Sequence, residues 1–316
     1  MTAIALLGAT GHIAKSLIAV WPGPLLLYAR RPEAVAAFIA AERLPAERLR
    51  VAPLSAFGQE PVEVVINAIG LGQPGKVAAG RLQFFRDTER FDNLVLDWQE
   101  RHPHGLYLFF SSGAVYGAGF AQPGGAGSQL CLPVNPPDPQ SFYGLAKYHA
   151  EAKHRASADH HIVDIRIFGF VSRFIDLEGE LFLSELARAL LGRHELVTGA
   201  HTMVRDYTGP TELAGLITAC IAAWQRATEP LNCAVDLRST APVDKFELLD
   251  HLAATLGLRY RTDHGFAALQ ATGAKPLYYS TLPCSAGIDW QSGRSALQAV
   301  RQEFAAFDRA DRGYES

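Results

Sequence analysis

The stretch Ala5-Leu6-Leu7-Gly8-Ala9-Thr10-Gly11-His12-Ile13-Ala14 predicts a strand, a glycine turn and the first turn of a helix. Gly8 permits a tight turn, Gly11 lets the backbone approach a pyrophosphate, and the small Ala14 lets the helix pack closely on a sheet. The helix N-terminus then presents free N–H groups to phosphate oxygens. We therefore expect a dinucleotide-binding turn, with an ordinary strand–helix turn as the alternative. Its binding residues would be Gly8, Thr10, Gly11, His12 and Ile13.

The first half of the chain alternates strand-like and helix-like segments around this turn. Apolar runs predict strands at Ile4–Leu7, Leu25–Tyr28, Arg48–Val51, Val62–Asn67, Leu106–Phe110 and Ile162–Phe168. Helices are predicted at Ile13–Val20, around Phe91–Arg101 and at about Tyr143–Ala156. Strand runs without strict alternation, separated by helices, are typical of a parallel sheet that is covered on both faces. We therefore predict an α/β fold with a Rossmann-type, doubly wound sheet of about seven parallel strands.

The pattern changes after Phe168, and this change sets the predicted domains. Later segments read as helices at Leu181–Gly192, Thr211–Trp224, Lys245–Leu256 and about Ser292–Phe307, and as one strand at Leu231–Asp236. We expect residues 1–168 to form a dinucleotide-binding domain, with 206–240 returning to it. Residues 169–205 and 241–316 would form a smaller C-terminal substrate-binding lobe over the carboxyl edge of the sheet. The Gly- and Pro-rich stretch Gly117–Pro139 is predicted to be a loop beside the site.

The residues that follow the second and fourth strands bear on the cofactor. An NAD enzyme usually places Asp or Glu at the end of the second strand, to accept a hydrogen bond from the ribose 2′-hydroxyl. Here the second strand is followed by Arg30 and Arg31, and no carboxylate occurs before Glu33. Two guanidiniums favour a 2′-phosphate, and so NADP over NAD; the alternative is that they point to solvent. Asn67-Ala68-Ile69-Gly70 ends the fourth strand with small residues against which an adenosine can lie.

A phenol and an ammonium four residues apart are the candidate catalytic groups. Tyr143-Gly144-Leu145-Ala146-Lys147 places Tyr143 and Lys147 on one face of a helix. A nearby ammonium lowers the pKa of a tyrosine, so that the phenol can give or take the proton that accompanies hydride transfer. Phe109-Phe110-Ser111-Ser112 ends a parallel strand in hydroxyls, at the edge where such sheets bind ligands. Such a hydroxyl can hydrogen-bond the reacting oxygen.

Four motifs follow one another along the chain: Gly8–Ala14, Asn67–Gly70, Ser111–Gly117 and Tyr143–Lys147. In this order they resemble the motifs of the extended short-chain dehydrogenase/reductases, which are sugar-nucleotide epimerases, dehydratases and 4-ketoreductases. The resemblance covers nearly the whole chain. It implies that Tyr143 is the acid/base, Lys147 its partner and holder of the nicotinamide ribose, and Ser112 the catalytic hydroxyl. Ser111 is its neighbour and is assigned to the cofactor.

The resemblance also implies substrate contacts and an assembly. Val204-Arg205-Asp206-Tyr207 resembles a motif whose arginine contacts the diphosphate of the substrate, although a structural salt bridge is the alternative for Arg205. Asn93 resembles the Asn on the helix before the fifth strand. Two helices per subunit usually pack into a dimeric four-helix bundle in this family, so a homodimer is expected.

Three departures from the family pattern limit the choice of reaction. Gly113 and Ala114 stand where 4,6-dehydratases carry Asp-Glu, so water elimination is not expected, and both residues are assigned to the substrate. Gly169 replaces an Asn that usually contacts substrate, and is the expected substrate contact there. The third strand ends without the usual Asp for the adenine amino group. The leading hypothesis is reduction or epimerisation of a nucleotide-linked sugar, with net reduction by NADPH slightly favoured. The alternatives are a reductase of a non-nucleotide carbonyl and a non-catalytic dinucleotide sensor.

The composition argues against several other classes of protein. The 316 residues are 48% hydrophobic and 19% charged, with a net charge of −3, so no global field favours nucleic acid or an anionic membrane. No apolar run reaches the length of about 18 residues that a membrane span needs, and no signal peptide is recognised. Four widely spaced cysteines fit free thiols in a cytoplasmic protein, and no metal site is predicted.

Overall fold

Seven parallel strands form the central sheet, which confirms the predicted fold class. The computed structural model describes residues 2–70, 81–117, 119–136, 138–265, 275–284 and 287–312. The strand order is β3-β2-β1-β4-β5-β6-β11, and every neighbouring pair is parallel. These strands are β1 (Ile4–Leu7), β2 (Leu25–Ala29), β3 (Leu49–Pro53), β4 (Val64–Asn67), β5 (Leu106–Ser112), β6 (His161–Ile167) and β11 (Asn232–Leu237). The order reverses between β1 and β4, and ligands of open α/β sheets bind at such a point.

Helices cover both faces of the sheet, and each face has its own apolar core. They are α1 (His12–Val20), α2 (Pro32–Ala41), α3 (Arg81–Arg101), α4 (Phe142–Ala156), α5 (Phe182–Leu191), α6 (Pro210–Arg226), α7 (Lys245–Leu256) and α8 (Ala296–Arg312). α1, α2 and α6 pack on one face, where Leu17, Val35 and Leu216 are buried against the strands. α3 and α4 pack on the other, through Trp98 and Ala150.

A third core lies in the C-terminal lobe, where α5, α7 and α8 pack together. Short strands accompany them: β7 (Gly169–Phe170), β8 (Glu195–Gly199), β9 (Val204–Arg205), β10 (Tyr207–Thr208), β12 (Val243–Asp244), β13 (Arg259–Asp263) and β14 (Leu277–Tyr278). They form three small sheets, β7 with β10, β8 with β13, and β12-β9-β14. Within the lobe, α7 has a regular cap at each end. Asp244 caps α7 by accepting from the Phe246 N–H at 2.8 Å, and Gly257 ends the helix with φ +72°.

Several element bounds differ from the sequence-based expectations. Helix α2 was not predicted, and α3 begins ten residues before Phe91. The last helix begins at Ala296, after a turn in which the Ser292 side chain bonds the Arg294 backbone. The predicted loop between Gly117 and Pro139 contains no helix or strand in its described residues, apart from a single bridge between Gly124 and Ser280. No helix in the described ranges is long and apolar enough to cross a membrane.

Candidate active site

The glycine turn after β1 opens onto a cavity with a volume of about 1030 Å³. Gly8 has φ +83°, and a Cβ there would lie 3.1 Å from the backbone of Ala68 and Ile69, so only glycine fits. The Gly11 N–H donates to the Gly8 carbonyl at 2.9 Å and closes the turn. No side chain caps the N-terminus of α1, so its first amides stay available to a ligand in the cavity.

Most of the predicted cofactor residues line this one cavity. Those at its wall are Thr10, Gly11, His12, Ile13, Ala68, Ile69, Gly70, Ser111, Tyr143 and Lys147. Asn67 lies buried behind the wall, and its Oδ1 accepts the Ile69 N–H at 3.1 Å, so it shapes the turn after β4. Arg30 and Arg31 are exposed at the end of β2 and lie outside the residues that line the cavity.

The three predicted catalytic residues come together at the end of β5. Ser112 is the last residue of β5, and Tyr143 and Lys147 lie on the first turns of α4. Tyr143 is half-buried, hydrogen-bonds with Ser112, and stacks on Phe84 of α3 with ring centroids 5.3 Å apart. The Lys147 ammonium donates to the Phe110 carbonyl at 2.8 Å.

The pKa of Tyr143 is raised, whereas the sequence led us to expect that Lys147 would lower it. Burial disfavours the phenolate and outweighs the hydrogen bond from Ser112, so the pKa of Tyr143 rises. Burial also lowers the pKa of Lys147 to about 8, although the charges of Asp92, Asp164 and Glu151 oppose that shift. In this arrangement Tyr143 is a proton donor at neutral pH.

A network of buried charges lies between α4 and its neighbours α3 and β6. His154 of α4 bonds Asp164 at 2.6 Å and Asp92 at 2.7 Å, and all three side chains are fully buried. The Tyr107 hydroxyl donates to Asp92 at 2.9 Å, and Asn67 donates to that hydroxyl at 3.0 Å. The chain of bonds therefore connects α3, α4 and β6 to the turn after β4 that lines the cavity.

A second buried network lies at the carboxyl end of β5, next to Ser112. Ser111 donates to Glu151 at 2.5 Å, so its hydroxyl is already engaged by the protein. Glu151 pairs with Arg166 at 2.6 Å, and Arg166 donates to the Tyr116 hydroxyl at 3.0 Å. Tyr116 in turn donates to Asp236 at 2.8 Å. This network joins the carboxyl ends of β5, β6 and β11, and it leaves Ser112 as the strand-end hydroxyl that is directed to Tyr143.

The predicted substrate residues differ in what they can do. Ser112, Ala114, Tyr143, Gly169 and Arg205 line the cavity, whereas Gly113 does not. A Cβ on Gly113 would lie 2.4 Å from the Phe168 ring, so Gly113 makes room for that aromatic wall. A Cβ on Gly169 would lie 2.5 Å from the Asp206 carbonyl oxygen, and the pairing of β7 with β10 leaves no space for Asn there.

Sequence analysis missed Tyr278 and Lys275 at this cavity. The Tyr278 hydroxyl lies 3.5 Å from the Ser112 hydroxyl, and its ring packs on Phe120 and Phe168 at 4.7 and 5.2 Å between centroids. Burial raises the pKa of Tyr278, so it stays a neutral hydrogen-bonding group. Neither residue belongs to a motif, because β14 reaches the end of β5 only through tertiary packing.

His12 links the glycine turn to the C-terminal lobe. Its ring bonds the Ser172 hydroxyl at 2.7 Å and packs on Phe170 with 5.4 Å between centroids. Ser16 also donates to Ser172, at 2.7 Å. Burial lowers the pKa of His12 to about 4, so the imidazole is neutral near pH 7.

No group of three or more His, Cys, Asp or Glu side chains in the described residues could hold a metal ion. Asn93, which resembles the Asn on the helix before the fifth strand in the family, is exposed on α3 and bonds Glu89 and Lys153 at 3.0 and 2.7 Å. Arg205, for which a salt bridge was the alternative, bonds backbone carbonyls instead, at Lys275 and, at 3.2 Å, at Val204.

Comparison with known proteins gives one family and a set of similar structures. The model of the NAD dependent epimerase/dehydratase family matches residues 4–234. No curated protein matches the sequence. A UDP-glucose-4-epimerase from Stenotrophomonas maltophila, solved with bound NAD and formylated UDP-arabinopyranose, is 15% identical over 99% of this chain and 100% of its own, with a TM-score of 0.79.

Two further solved structures have the same fold. A UDP-N-acetylglucosamine 4-epimerase from Methanobrevibacter ruminantium, in complex with UDP-N-acetylmuramic acid, is 13% identical over 98% of this chain and 99% of its own, with a TM-score of 0.76. A UDP-glucuronic acid 4-epimerase from Bacillus cereus, in complex with UDP-glucuronic acid and NAD, is 14% identical over 98% and 100%, with a TM-score of 0.73. At these identities the likeness shows the fold.

Proposed function

The chain belongs to the NAD dependent epimerase/dehydratase family, and from this premise we propose that it is a nicotinamide-dependent enzyme acting on a nucleotide-linked sugar. The reaction would occur at a carbinol or ketone carbon held between Tyr143 and Ser112. One observation carries the proposal: Tyr143, Ser112 and Lys147 meet at the wall of the cavity into which the uncapped N-terminus of α1 opens. When bound, the dinucleotide would accept a hydride from that carbon or return one to it.

The residues present fit a dinucleotide. The pyrophosphate would meet the amides of His12 and Ile13 at the start of α1, where no side chain in the described part of the chain makes a capping hydrogen bond. Gly70 lies beside Lys147, and a Cβ there would be in van der Waals contact with the ammonium, at 3.5 Å. Lys147 lines the cavity, and in this proposal its ammonium would donate to a ribose hydroxyl in place of the Phe110 carbonyl.

Each catalytic side chain has a defined task in this proposal. Ser112 orients the reacting oxygen and stabilises the charge that develops on it. Tyr143 transfers the proton of that oxygen, and the charge of Lys147 would favour the phenolate while a proton is away. The Phe84 ring stacks on Tyr143, with 5.3 Å between centroids, and the Phe168 ring lines the cavity.

The leading reaction is C4 epimerisation with NAD, which the family and the solved relatives support. The second candidate is 4-ketoreduction with NADPH, and two observations favour it. Tyr143 rests as a proton donor, as ketone reduction requires. The side chains of Arg30 and Arg31 form no ion pair or hydrogen bond in the described part of the chain, and so are available to a 2′-phosphate.

The cofactor distinguishes the two reactions. An epimerase keeps its dinucleotide through the cycle, so NAD that copurifies with the protein supports epimerisation. Steady consumption of NADPH with a 4-keto sugar nucleotide supports the reductase. For the ribose contact itself, Arg30→Ala should weaken NADP binding about 10-fold and leave NAD binding unchanged if the arginines hold a 2′-phosphate.

The principal test of the proposal is Tyr143→Phe. Activity should be measured over a panel of UDP-sugars, with NAD and with NADPH, and cofactor binding by calorimetry. Loss of the hydroxyl should lower kcat about 100-fold or more while the dinucleotide still binds. Tyr148→Phe, on the exposed face of the same helix, is the matched control. Turnover that survives Tyr143→Phe would remove the catalytic assignment. A wild-type protein that binds dinucleotide but turns over no sugar nucleotide would contradict the proposal and leave its two alternatives, a reductase of a non-nucleotide carbonyl and a non-catalytic dinucleotide sensor.

Assembly and location are also proposals. α3 and α4 pack side by side on one face of the sheet, and α3 carries the exposed Leu82 while α4 carries the exposed Tyr148. We propose that this face forms a homodimer in a cytoplasmic protein. Light scattering of the purified protein tests the dimer, since a monomer at assay concentration would contradict it.

A further inference from the structure

The Tyr278 hydroxyl has a single hydrogen-bonding contact in the described part of the chain. It lies 3.5 Å from the Ser112 hydroxyl, and no other described residue bonds it. This distance is at the outer limit of a hydrogen bond, and the bonds of a reaction site are often long before a ligand binds. Burial raises the pKa of Tyr278, so the phenol keeps its proton at neutral pH and has it to donate. Ser112 is the acceptor within its reach.

Two aromatic rings hold the Tyr278 ring in this place. The Phe120 ring packs edge-on against it with 4.7 Å between centroids, and the Phe168 ring lies at 5.2 Å. Phe120 has φ +45°, a left-handed backbone conformation that a bulky residue adopts at a cost in free energy. Its carbonyl accepts the N–H of Leu277, the residue before Tyr278, at 3.1 Å. A strained residue that braces one phenol indicates that the position of that phenol matters to the protein.

The Ser112 hydroxyl has one proton to donate and two lone pairs that accept. One lone pair takes the Ala114 N–H at 3.2 Å. Tyr143 and Tyr278 share what remains, which is one lone pair and one proton. If Tyr278 donates to Ser112, the Ser112 proton is left for Tyr143 or for a substrate oxygen beside it. If Ser112 donates to Tyr278 instead, its proton points away from the reaction.

Tyr278 stays protonated when Tyr143 gives up its proton. Burial raises the pKa of Tyr278 most, and although the hydrogen bond with Ser112 opposes that shift, the charge of an ionised Tyr143 raises the pKa further. A phenolate at Tyr143 draws the Ser112 proton toward itself, because hydrogen bonds to an ionised acceptor are stronger. The remaining lone pair of Ser112 is then open to the Tyr278 O–H. The hydrogen bonds therefore run in one direction, from Tyr278 through Ser112 to Tyr143.

We propose that Tyr278 is a positioning residue that donates its hydroxyl hydrogen to Ser112 and so directs the Ser112 proton to the reacting oxygen. The inference rests on the proposed function for the place of that oxygen, between Ser112 and Tyr143. Each bond in such a chain polarises the next, so the bond from Tyr278 makes Ser112 a stronger donor. The effect of Tyr278 on the reaction passes through Ser112 and needs no contact with the reacting carbon.

A single fluorinated phenol tests the direction of these bonds without substrate or cofactor. Tyr143 is replaced by difluorotyrosine in the full-length protein, because that phenol ionises at a pH where the protein stays folded, and its fluorine NMR resonance is followed against pH. Tyr278→Phe removes the first donor of the chain and should raise the pKa of the phenol at position 143. Tyr279→Phe changes the neighbouring tyrosine, which is not among the residues that line the cavity, and should leave that pKa unchanged. In the Ser112→Ala protein, Tyr278→Phe should have no effect on it.

The sign of the change decides between the two arrangements. A pKa that falls in Tyr278→Phe would mean that Ser112 donates to Tyr278 in the native protein, and would overturn the proposal. An unchanged pKa would overturn it too, because the two phenols would then be uncoupled. A rise that persists in the Ser112→Ala background would show that Tyr278 acts on Tyr143 without Ser112, which the proposal does not allow.

A double-mutant cycle on turnover tests the same link in the reaction. With a nucleotide sugar that the wild-type enzyme converts, Tyr278→Phe should lower kcat about 10-fold and leave KM within about 2-fold. In a protein that already carries Ser112→Ala, the added Tyr278→Phe should lower kcat by less than about 2-fold. Losses that multiply would overturn the proposal, since Tyr278 would then act independently of Ser112. Circular dichroism checks that each variant folds.

The two readouts separate this inference from the proposed function. The fluorine titration needs no turnover, so it tests the role of Tyr278 even in a protein that converts no nucleotide sugar. An active enzyme that depends on Tyr143 and Ser112, but whose fluorine titration and kcat ignore Tyr278, would refute only the positioning role. A chain of bonds that behaves as expected in a protein without turnover would refute only the reaction.

Discussion

Raising the pH from 6.5 to 8 should destabilise the folded protein, because His154 holds a proton that the unfolded chain releases. Burial alone would lower the pKa of this imidazole, but Asp164 and Asp92 accept hydrogen bonds from its two nitrogens and raise the pKa to about 9. In the unfolded chain the value returns to 6.5. The stabilisation is therefore fully present below pH 6.5 and is lost as the pH rises through 9.

The magnitude follows from the linkage between proton binding and stability. Between the two pKa values the folded state binds one more proton than the unfolded state, so the free energy of unfolding falls by about 1.4 kcal/mol per pH unit. From pH 6.5 to 8 the fall is about 2 kcal/mol. The window ends at 8 because Lys147 and Lys275, with pKa values of about 8, change the slope in the opposite direction above it. It begins at 6.5 because His12, with a pKa of about 4, opposes it below.

Urea unfolding across this pH window, followed by tryptophan fluorescence, measures the slope. The His149→Gln variant is the matched control on the same helix and should keep the slope. His149 is exposed, and its contact with Glu89 at 3.3 Å lies at the surface, where an ion pair contributes little to stability. His154→Gln should abolish the slope. Because that variant leaves two buried carboxylates without their cation, the wild-type protein provides an independent readout: the carbon resonances of labelled His154 should report an imidazolium at pH 8. A free energy of unfolding that stays flat or rises from pH 6.5 to 8 would refute the reasoning.

Two further predictions concern glycines that the site requires. Gly113→Ala places a Cβ 2.4 Å from the Phe168 ring and should cost about 1–3 kcal/mol of stability, with a lower kcat. Gly119→Ala meets no atom within 4 Å, so urea unfolding should show a change within about 0.5 kcal/mol, and equal effects of the two variants would contradict this account. Gly169→Asn should not recover a substrate contact, because its Cβ would meet the Asp206 carbonyl at 2.5 Å. Gly169→Asn should lower the free energy of unfolding by about 2 kcal/mol or more. A stable variant with tighter substrate binding would contradict this prediction, because it would show that β7 can move to make room for the Asn side chain.

The central sheet was predictable because its signals are local. Each strand is an apolar run, and β5 is buried over its whole length, as its uninterrupted hydrophobic start indicates. Helix α2 was missed although Pro32 at its first position is a regular start signal. Its apolar residues occur on most faces, so the amphipathic period that marks the other helices is weak. The two-residue strands of the lobe, such as β9, exist only through pairing with distant segments and leave no periodic trace.

The same difference between local signals and distant contacts separates the residues of the candidate site that could be predicted from those that could not. Tyr143 and Lys147 could be predicted because one helix turn sets their separation. Gly8 could be predicted because the local strand–turn–helix pattern requires its conformation. Tyr278 meets Ser112 across 166 positions of the chain, a proximity that no local pattern encodes. The side of the cavity that Tyr278 and Lys275 line is therefore the part that only the structure could show.

The prediction that the pKa of Tyr143 is lowered was wrong for a related reason. A Tyr–Lys spacing fixes that the two groups are close, but it does not fix what else surrounds them. Here the charges of Asp92 and Asp164 help to keep Lys147 protonated, and the same carboxylates bind the His154 imidazolium. Removing the His154 charge would leave both carboxylates less compensated, which lowers stability and raises the pKa of Lys147. Stability and the charge state of Lys147 therefore depend on the same two buried acids and should shift together when His154 loses its proton.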